Sequence, residues 1–129
     1  MCEKVDFREI AAKIGLVSIV CFFHGCDPDQ LEDSDEIRAI LSRFVELARM
    51  QTIDSFFHKF TPQGLTGVFI LHQSHVFIHT WPEFSFAIVQ ISVCQAKHFH
   101  LRLALRYLKN AIKHGNCEIR AAIGRDQFY

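Results

Sequence analysis

Hydrophobic positions along the chain follow two rhythms that divide it into strands and helices. Leu16–Phe23 is an apolar run bounded by Gly15 and by His24-Gly25, and it predicts a central strand. Asp27-Pro28-Asp29-Gln30 reads as a helix start, with Asp27 as N-cap, Pro28 in the first helical position and Gln30 closing a capping box. Ile37, Ile40, Leu41, Phe44 and Ala48 recur at helical spacing and carry that one helix onward to about Met50. From Gln51 the pattern turns to strands. Thr52–Phe60, Leu65–His72 and Ser74–Thr80 predict three of them, with a turn at Thr61-Pro62-Gln63-Gly64 and a stop at Trp81-Pro82.

Between Phe84 and Cys94 the alternation is strict. Phe84, Phe86, Ile88, Gln90, Ser92 and Cys94 fall on one face, and Ala87, Val89, Ile91 and Val93 on the other. Both faces are largely apolar, as expected of a sheet covered on both sides. Leu101, Ala104, Leu105, Leu108, Ala111 and Ile112 mark a second helix stopped by Gly115, and Cys117–Ile123 a last short strand. Together these elements predict an α+β fold, a two-layer sandwich of an antiparallel sheet with two main helices on one face. The uncovered sheet face needs a partner, and a second copy of the chain, dimerising through the sheets, would supply it.

Composition narrows the class. A chain of 129 residues, half of them hydrophobic, is long enough for a single domain over residues 1–129 with a core of its own. Fourteen basic residues balance fourteen acidic ones, so no electrostatic footprint marks a nucleic-acid or anionic-lipid partner. Arg102, Arg106, Lys109 and Lys113, three and four residues apart, read as the solvated face of the second helix. No apolar run reaches the ~18 residues of a membrane span, and the charged N-terminus leads into no signal-like core. Cys2, Cys21, Cys26, Cys94 and Cys117 are odd in number and scattered, which suits reduced thiols in the cytoplasm.

Chemistry concentrates in residues 72–83, His-Gln-Ser-His-Val-Phe-Ile-His-Thr-Trp-Pro-Glu. Strand alternation sets Val76 and Ile78 on one side and His75, Phe77 and His79 on the other. Taken singly, Ser74 is an ordinary hydrogen-bonded strand serine, His79 a structural histidine, Cys94 a small buried hydrophobe and Glu83 a turn cap. His72, His75, His79, His98 and His100 invite a metal, yet no acidic or cysteine partner completes a familiar ligand spacing, so none is expected. A Cys94–His79 thiol hydrolase lacks the third residue that would orient the histidine.

Jointly, the string Ser-His-x-x-Ile-His-Thr-Trp-Pro-Glu resembles the processing and active-site motif of the small prokaryotic S-adenosylmethionine decarboxylases. A second matching pattern precedes it, Phe57-His58-Lys59-Phe60 followed by Gly64-Leu65-Thr66-Gly67-Val68, and the resemblance runs from about residue 16 to residue 115. It implies a proenzyme that cuts itself between Gln73 and Ser74 into 1–73 and 74–129. Ser74 Oγ would attack the Gln73 carbonyl to give an ester; loss of the Ser74 α-proton would expel the Gln73 carboxylate, and the dehydroalanine left behind would hydrolyse to a pyruvoyl group and ammonia.

The resemblance further implies that His79 serves processing, with Thr66 as a supporting hydroxyl, and that Cys94, twenty residues after Ser74, protonates the decarboxylated intermediate. Glu83 would hold the ribose hydroxyls, and Phe60 and Trp81 would shape the adenine pocket. The substrate amine would form a Schiff base with the pyruvoyl group, so neither pyridoxal phosphate nor a metal is needed. The implied assembly is a homodimer with active sites shared near the subunit interface, and the implied activity is decarboxylation of S-adenosylmethionine for polyamine synthesis.

Several positions depart from the family pattern. Gln73 stands for the usual glutamate, Thr66 for a serine, Ser85 for a glycine, and Gln90 and Gln95 for an aspartate and a glycine, while strand one lacks an acidic residue often found there. Two alternatives therefore stay open: a pyruvoyl-dependent decarboxylase of arginine or ornithine, and a non-processing homologue that binds or regulates an active decarboxylase.

Overall fold

The structure is a computed structural model that describes residues 7–95 and 97–123. Cys2, the charged N-terminus and the end of the proposed domain beyond residue 123 lie outside the described residues. In chain order the elements are α1 (Phe7–Ile14), β1 (Leu16–His24), α2 (Pro28–Glu32), α3 (Ser34–Leu47), β2 (Thr52–Lys59), β3 (Leu65–Leu71), β4 (Ser74–Trp81), β5 (Phe86–Cys94), α4 (His98–Ala111) and β6 (Asn116–Ile123). The strands form one sheet in the order β2-β3-β4-β5-β1-β6, with every neighbouring pair antiparallel.

One sheet face is the core. Ile19, Cys21 and Phe23 of β1, Val76 and Ile78 of β4, and Val89, Ile91 and Val93 of β5 are buried together with Ile37, Leu41 and Phe44 of α3 and Leu101, Ala104 and Leu108 of α4. The α+β sandwich with two main helices on one face is therefore the observed architecture. On the opposite face Val20 and Phe22 of β1, Val68 and Ile70 of β3, Phe77 and His79 of β4 and Ile88 of β5 are half-buried or exposed. That open face carries the cleft described below.

Three local expectations are corrected. The helix expected from Asp27 to Met50 is two helices, because the Asp33 side chain accepts the Glu36 N–H at 3.0 Å and starts α3 afresh while the Asp33 N–H still bonds Gln30 O at 3.1 Å. Gln30 closes no capping box. The Asp27 side chain instead accepts from the Asp29 N–H, and Gln30, 3% exposed, donates to Ala111 O at 2.9 Å and accepts from the Lys113 N–H at 2.9 Å. It ties α2 to the end of α4. Finally, Phe84 does not start a strand: Pro82–Phe84 form a 3-10 turn closed by Ser85 at φ +49°, and β5 begins at Phe86. Pro82 has no N–H to offer a sheet, which ends β4 one residue earlier.

The β2–β3 pairing depends on a missing side chain. Gly67 lies opposite Phe57, and a Cβ there would collide with the Phe57 ring. The Arg38 guanidinium of α3 sits 4.3 Å from the centre of that ring, so the outer hairpin is anchored to the helical layer.

Candidate active site

The β3–β4 hairpin builds the first part of the site. Leu71 pairs with Ser74, which leaves His72-Gln73 as a two-residue turn, and Gln73 sits at φ +60°. A non-glycine residue in the left-handed region carries strain of roughly 1–2 kcal/mol. The strained residue is the one whose carbonyl precedes the serine. Ser74 is half-buried, and its Oγ accepts the Cys94 N–H at 3.1 Å. Cys94 is held at the end of β5 by pairing with Leu16 and by the Gln95 N–H to Gly15 O bond at 2.9 Å. Gly15 is required there, because a Cβ would lie 3.1 Å from Gln95 N at a backbone φ of +62°.

The second part lies at the other end of β4. Thr66 and His79 are cross-strand partners, and their side chains form a hydrogen bond, Oγ1 to Nδ1, at 3.0 Å. The His79 ring is 6.1 Å from that of Trp81, and Trp81 is 5.7 Å from Phe86 across the β4–β5 pair. A cleft of about 400 Å³ opens here, lined among others by Phe60, Gln63, Thr66, His79, Trp81 and Glu83. Its aromatic walls and single carboxylate suit a flat, diol-bearing or cationic guest.

The expected site residues thus fall into two groups. Thr66, His79, Phe60, Trp81 and Glu83 share the cleft, whereas Gln73, Ser74 and Cys94 share the hairpin end. Five strand residues at about 3.3 Å each put roughly 16 Å between Ser74 and His79 within one chain. The extended course of β4 turns five positions of sequence into this separation. Residues missed in the sequence reading include Phe86 and His24, whose rings lie 4.9 Å apart beside Trp81, and Gln63 in the cleft wall. Only the β4–β5 register reveals Phe86, since strand alternation alone does not say which strand is next door.

The remaining described thiols are poor candidates for proton transfer. Burial pushes Cys21 up to about 12 and Cys26 up to about 11, in both cases with a smaller contribution from neighbouring Cys117, and burial also raises Cys117. Among the described residues, no three His, Cys, Asp or Glu side chains converge on a metal-sized site. Nor is any described helix long and apolar enough to cross a membrane.

An α+β sandwich with a strained hairpin before a serine and an aromatic cleft on its open face defines a narrow class of protein. The sequence model of one family, described as S-adenosylmethionine decarboxylase, matches residues 18–124. Relatives include an S-adenosylmethionine decarboxylase proenzyme of Sulfurihydrogenibium sp. strain YO3AOP1, 33% identical over 95 residues covering 74% of this chain and 71% of that protein. Another, of the same name from Clostridium botulinum strain Loch Maree, is 36% identical over 102 residues, covering 79% of this chain and 87% of that protein. The crystal structure of the adenosylmethionine decarboxylase from Aquifex aeolicus VF5 superposes with a TM-score of 0.76 at 28% identity, covering 84% of this chain and 88% of the other. The chain belongs to the S-adenosylmethionine decarboxylase family.

Proposed function

We propose that this chain is a proenzyme that cuts itself between Gln73 and Ser74 and then decarboxylates S-adenosylmethionine, the substrate its relatives are named for. The observation that carries the reading is the left-handed Gln73 directly before a serine whose Oγ is already held by the Cys94 N–H. That hydrogen bond fixes the nucleophile, and the strained turn raises the energy of the peptide bond it attacks. Attack of Ser74 Oγ on the Gln73 carbonyl carbon breaks the C–N bond and forms an ester, with the hydroxyl proton passing to the freed amine. Removal of the Ser74 α-proton expels the Gln73 carboxylate, and water releases ammonia from the residual dehydroalanine.

The position of Ser74 fits the pyruvoyl group that this leaves at the head of the 74–129 piece. Such a group supplies an electron sink for the electron pair left by carbon dioxide. Around it, this chain's residues bind and move protons. Phe60 and Trp81 flank the adenine, Glu83 accepts hydrogen bonds from the ribose diol, and Cys94 returns a proton to the substrate carbon.

Because roughly 16 Å separates Ser74 from His79 along β4, we assign the His79 and Thr66 that serve each Ser74 to a second copy of the chain. Stacking two open sheet faces would bring the hairpin end of one copy to the cleft of the other. It would also remove Phe56, 65% exposed, and Ile70, 49% exposed, from water.

The test of substrate is carbon dioxide release from labelled S-adenosylmethionine, arginine and ornithine by processed protein. Only the first is expected to react, and Glu83→Gln should weaken its use by on the order of tenfold to a hundredfold, the effect of losing a hydrogen bond of ~1.5–3 kcal/mol to a charged acceptor. Release from arginine or ornithine alone, indifferent to Glu83, would overturn the substrate while leaving the processing chemistry standing. Cys94→Ala should still process but lose about a hundredfold or more in turnover, the usual contribution of a general acid. A fully active processed Cys94→Ala enzyme would reduce Cys94 to a strand-end anchor.

A further inference from the structure

We propose that Glu32, which does not line the cleft, is a positioning residue for it. Its carboxylate fixes the turn that carries Phe60 and so sets the affinity for the adenosyl part of the substrate. This rests on the substrate reading above.

The turn between β2 and β3 is tight and has few supports. The Phe60 N–H donates to Gly64 O at 2.8 Å and closes it, and Gly64 sits at φ +95°, where a Cβ would lie 3.0 Å from Thr80 O. The turn is therefore pressed directly onto the strand end that leads into Trp81. Two polar groups from α2 hold it there. Leu31 O accepts from Thr80 Oγ1 at 3.1 Å, and Thr80 Oγ1 in turn accepts from the Leu65 N–H at 3.0 Å. Thr80 is only 5% exposed, so this bridge belongs to the core. The second group is the Glu32 carboxylate, which accepts the Gly64 N–H across 32 positions of sequence.

Among the described residues, the Gly64 N–H is the hydrogen-bond partner of the Glu32 carboxylate. Glu32 is half-buried, and it acts on the cleft only through the Gly64 backbone. The other end of α2 is pinned as well, because the Cys26 N–H donates to Ser85 O at 2.8 Å, next to the turn that carries Glu83. One short helix thereby ties down both walls of the cleft, Phe60 on one side and Glu83 on the other. Without the carboxylate the Gly64 N–H turns to water, the turn gains freedom, and a bound adenosyl group must order it. That penalty falls on binding and leaves the reacting atoms near Ser74 untouched.

The chain's single tryptophan is Trp81, so fluorescence reports on this cleft independently of turnover. Processed wild type, Glu32→Ala, Glu32→Asp and Glu32→Gln would be titrated with 5′-methylthioadenosine, an adenosyl compound without a carboxylate to lose, and assayed with S-adenosylmethionine. Glu32→Ala should raise KM and the nucleoside dissociation constant by about tenfold with kcat changed little and self-cleavage unaffected. Glu32→Asp, one methylene short of the Gly64 N–H, should shift both in the same direction, and it decides the matter if Glu32→Ala proves unfolded by circular dichroism. Glu32→Gln keeps an acceptor oxygen and should restore wild-type binding. Unchanged nucleoside affinity in Glu32→Ala or Glu32→Asp, or kcat and melting temperature falling with no change in KM, would overturn the positioning role. A wild type that neither responds to the nucleoside nor turns over S-adenosylmethionine would instead sink the substrate reading.

Discussion

Purified wild-type protein is expected to resolve by mass spectrometry into pieces 1–73 and 74–129, the second bearing a pyruvoyl group in place of its first serine, while Ser74→Ala stays whole. The effect is all or none, because an ordinary amide does not hydrolyse on a laboratory timescale and Ser74 supplies both the attacking hydroxyl and the α-proton whose loss completes the cut, neither of which the neighbouring Cys94 thiol can replace. The substitution removes the acceptor of the Cys94 N–H, but the backbone pairing of Leu71 with Ser74 that forms the turn does not use the hydroxyl, so an intact Ser74→Ala chain would report loss of the nucleophile and not collapse of the turn. Gln73→Gly separates the contribution of strain. Glycine adopts φ +60° freely, so relieving roughly 1 kcal/mol of ground-state strain should slow cleavage about fivefold. An intact wild-type chain after prolonged incubation would overturn the proenzyme reading and favour a non-processing partner of an active decarboxylase.

Much of the fold was legible because hydrophobic period and burial agree. Ile37, Ile40, Leu41 and Phe44 are the buried stripe of α3, and the alternation of Ala87, Val89, Ile91 and Val93 is the core face of β5. What periodicity could not show were polar contacts between elements distant in sequence. Asp33 breaks a helix whose apolar stripe continues on both sides, and Gln30 is buried by partners more than 80 positions away. The same limit applies to the site. The motif gave the residue types, and it placed Ser74, His79 and Glu83 within ten positions of one another. An extended strand converts short spacing into long distance, however, and the register then hands Thr66 to His79 and Cys94 to Ser74. Glu32 carried no signal at all, since an acidic residue within what reads as one helix from Asp27 to about Met50 looks like any solvated charge.

Separation of the two groups leads to the second large effect. His79→Ala and Ser74→Ala, each expressed alone, should remain unprocessed, the first for want of a proton handler and the second for want of a nucleophile. Mixed in one cell they should recover. The proposed symmetric dimer, built sheet to sheet, would have two sites, each combining Ser74 and Cys94 of one copy with Thr66 and His79 of the other. In a mixed dimer the His79→Ala chain keeps its own Ser74 and meets an intact His79 on its Ser74→Ala partner, so that one site works while the other lacks both groups. Random pairing makes half the dimers mixed, and cleavage should reach about a quarter of the wild-type number of sites, confined to the His79→Ala chain. A mass tag on one variant identifies which chain is cut. Cleavage of His79→Ala on its own would remove His79 from processing. No cleavage in the mixture would mean that Ser74 and His79 must belong to one chain, which requires β4 to bend away from the extended course it follows from Ser74 to Trp81.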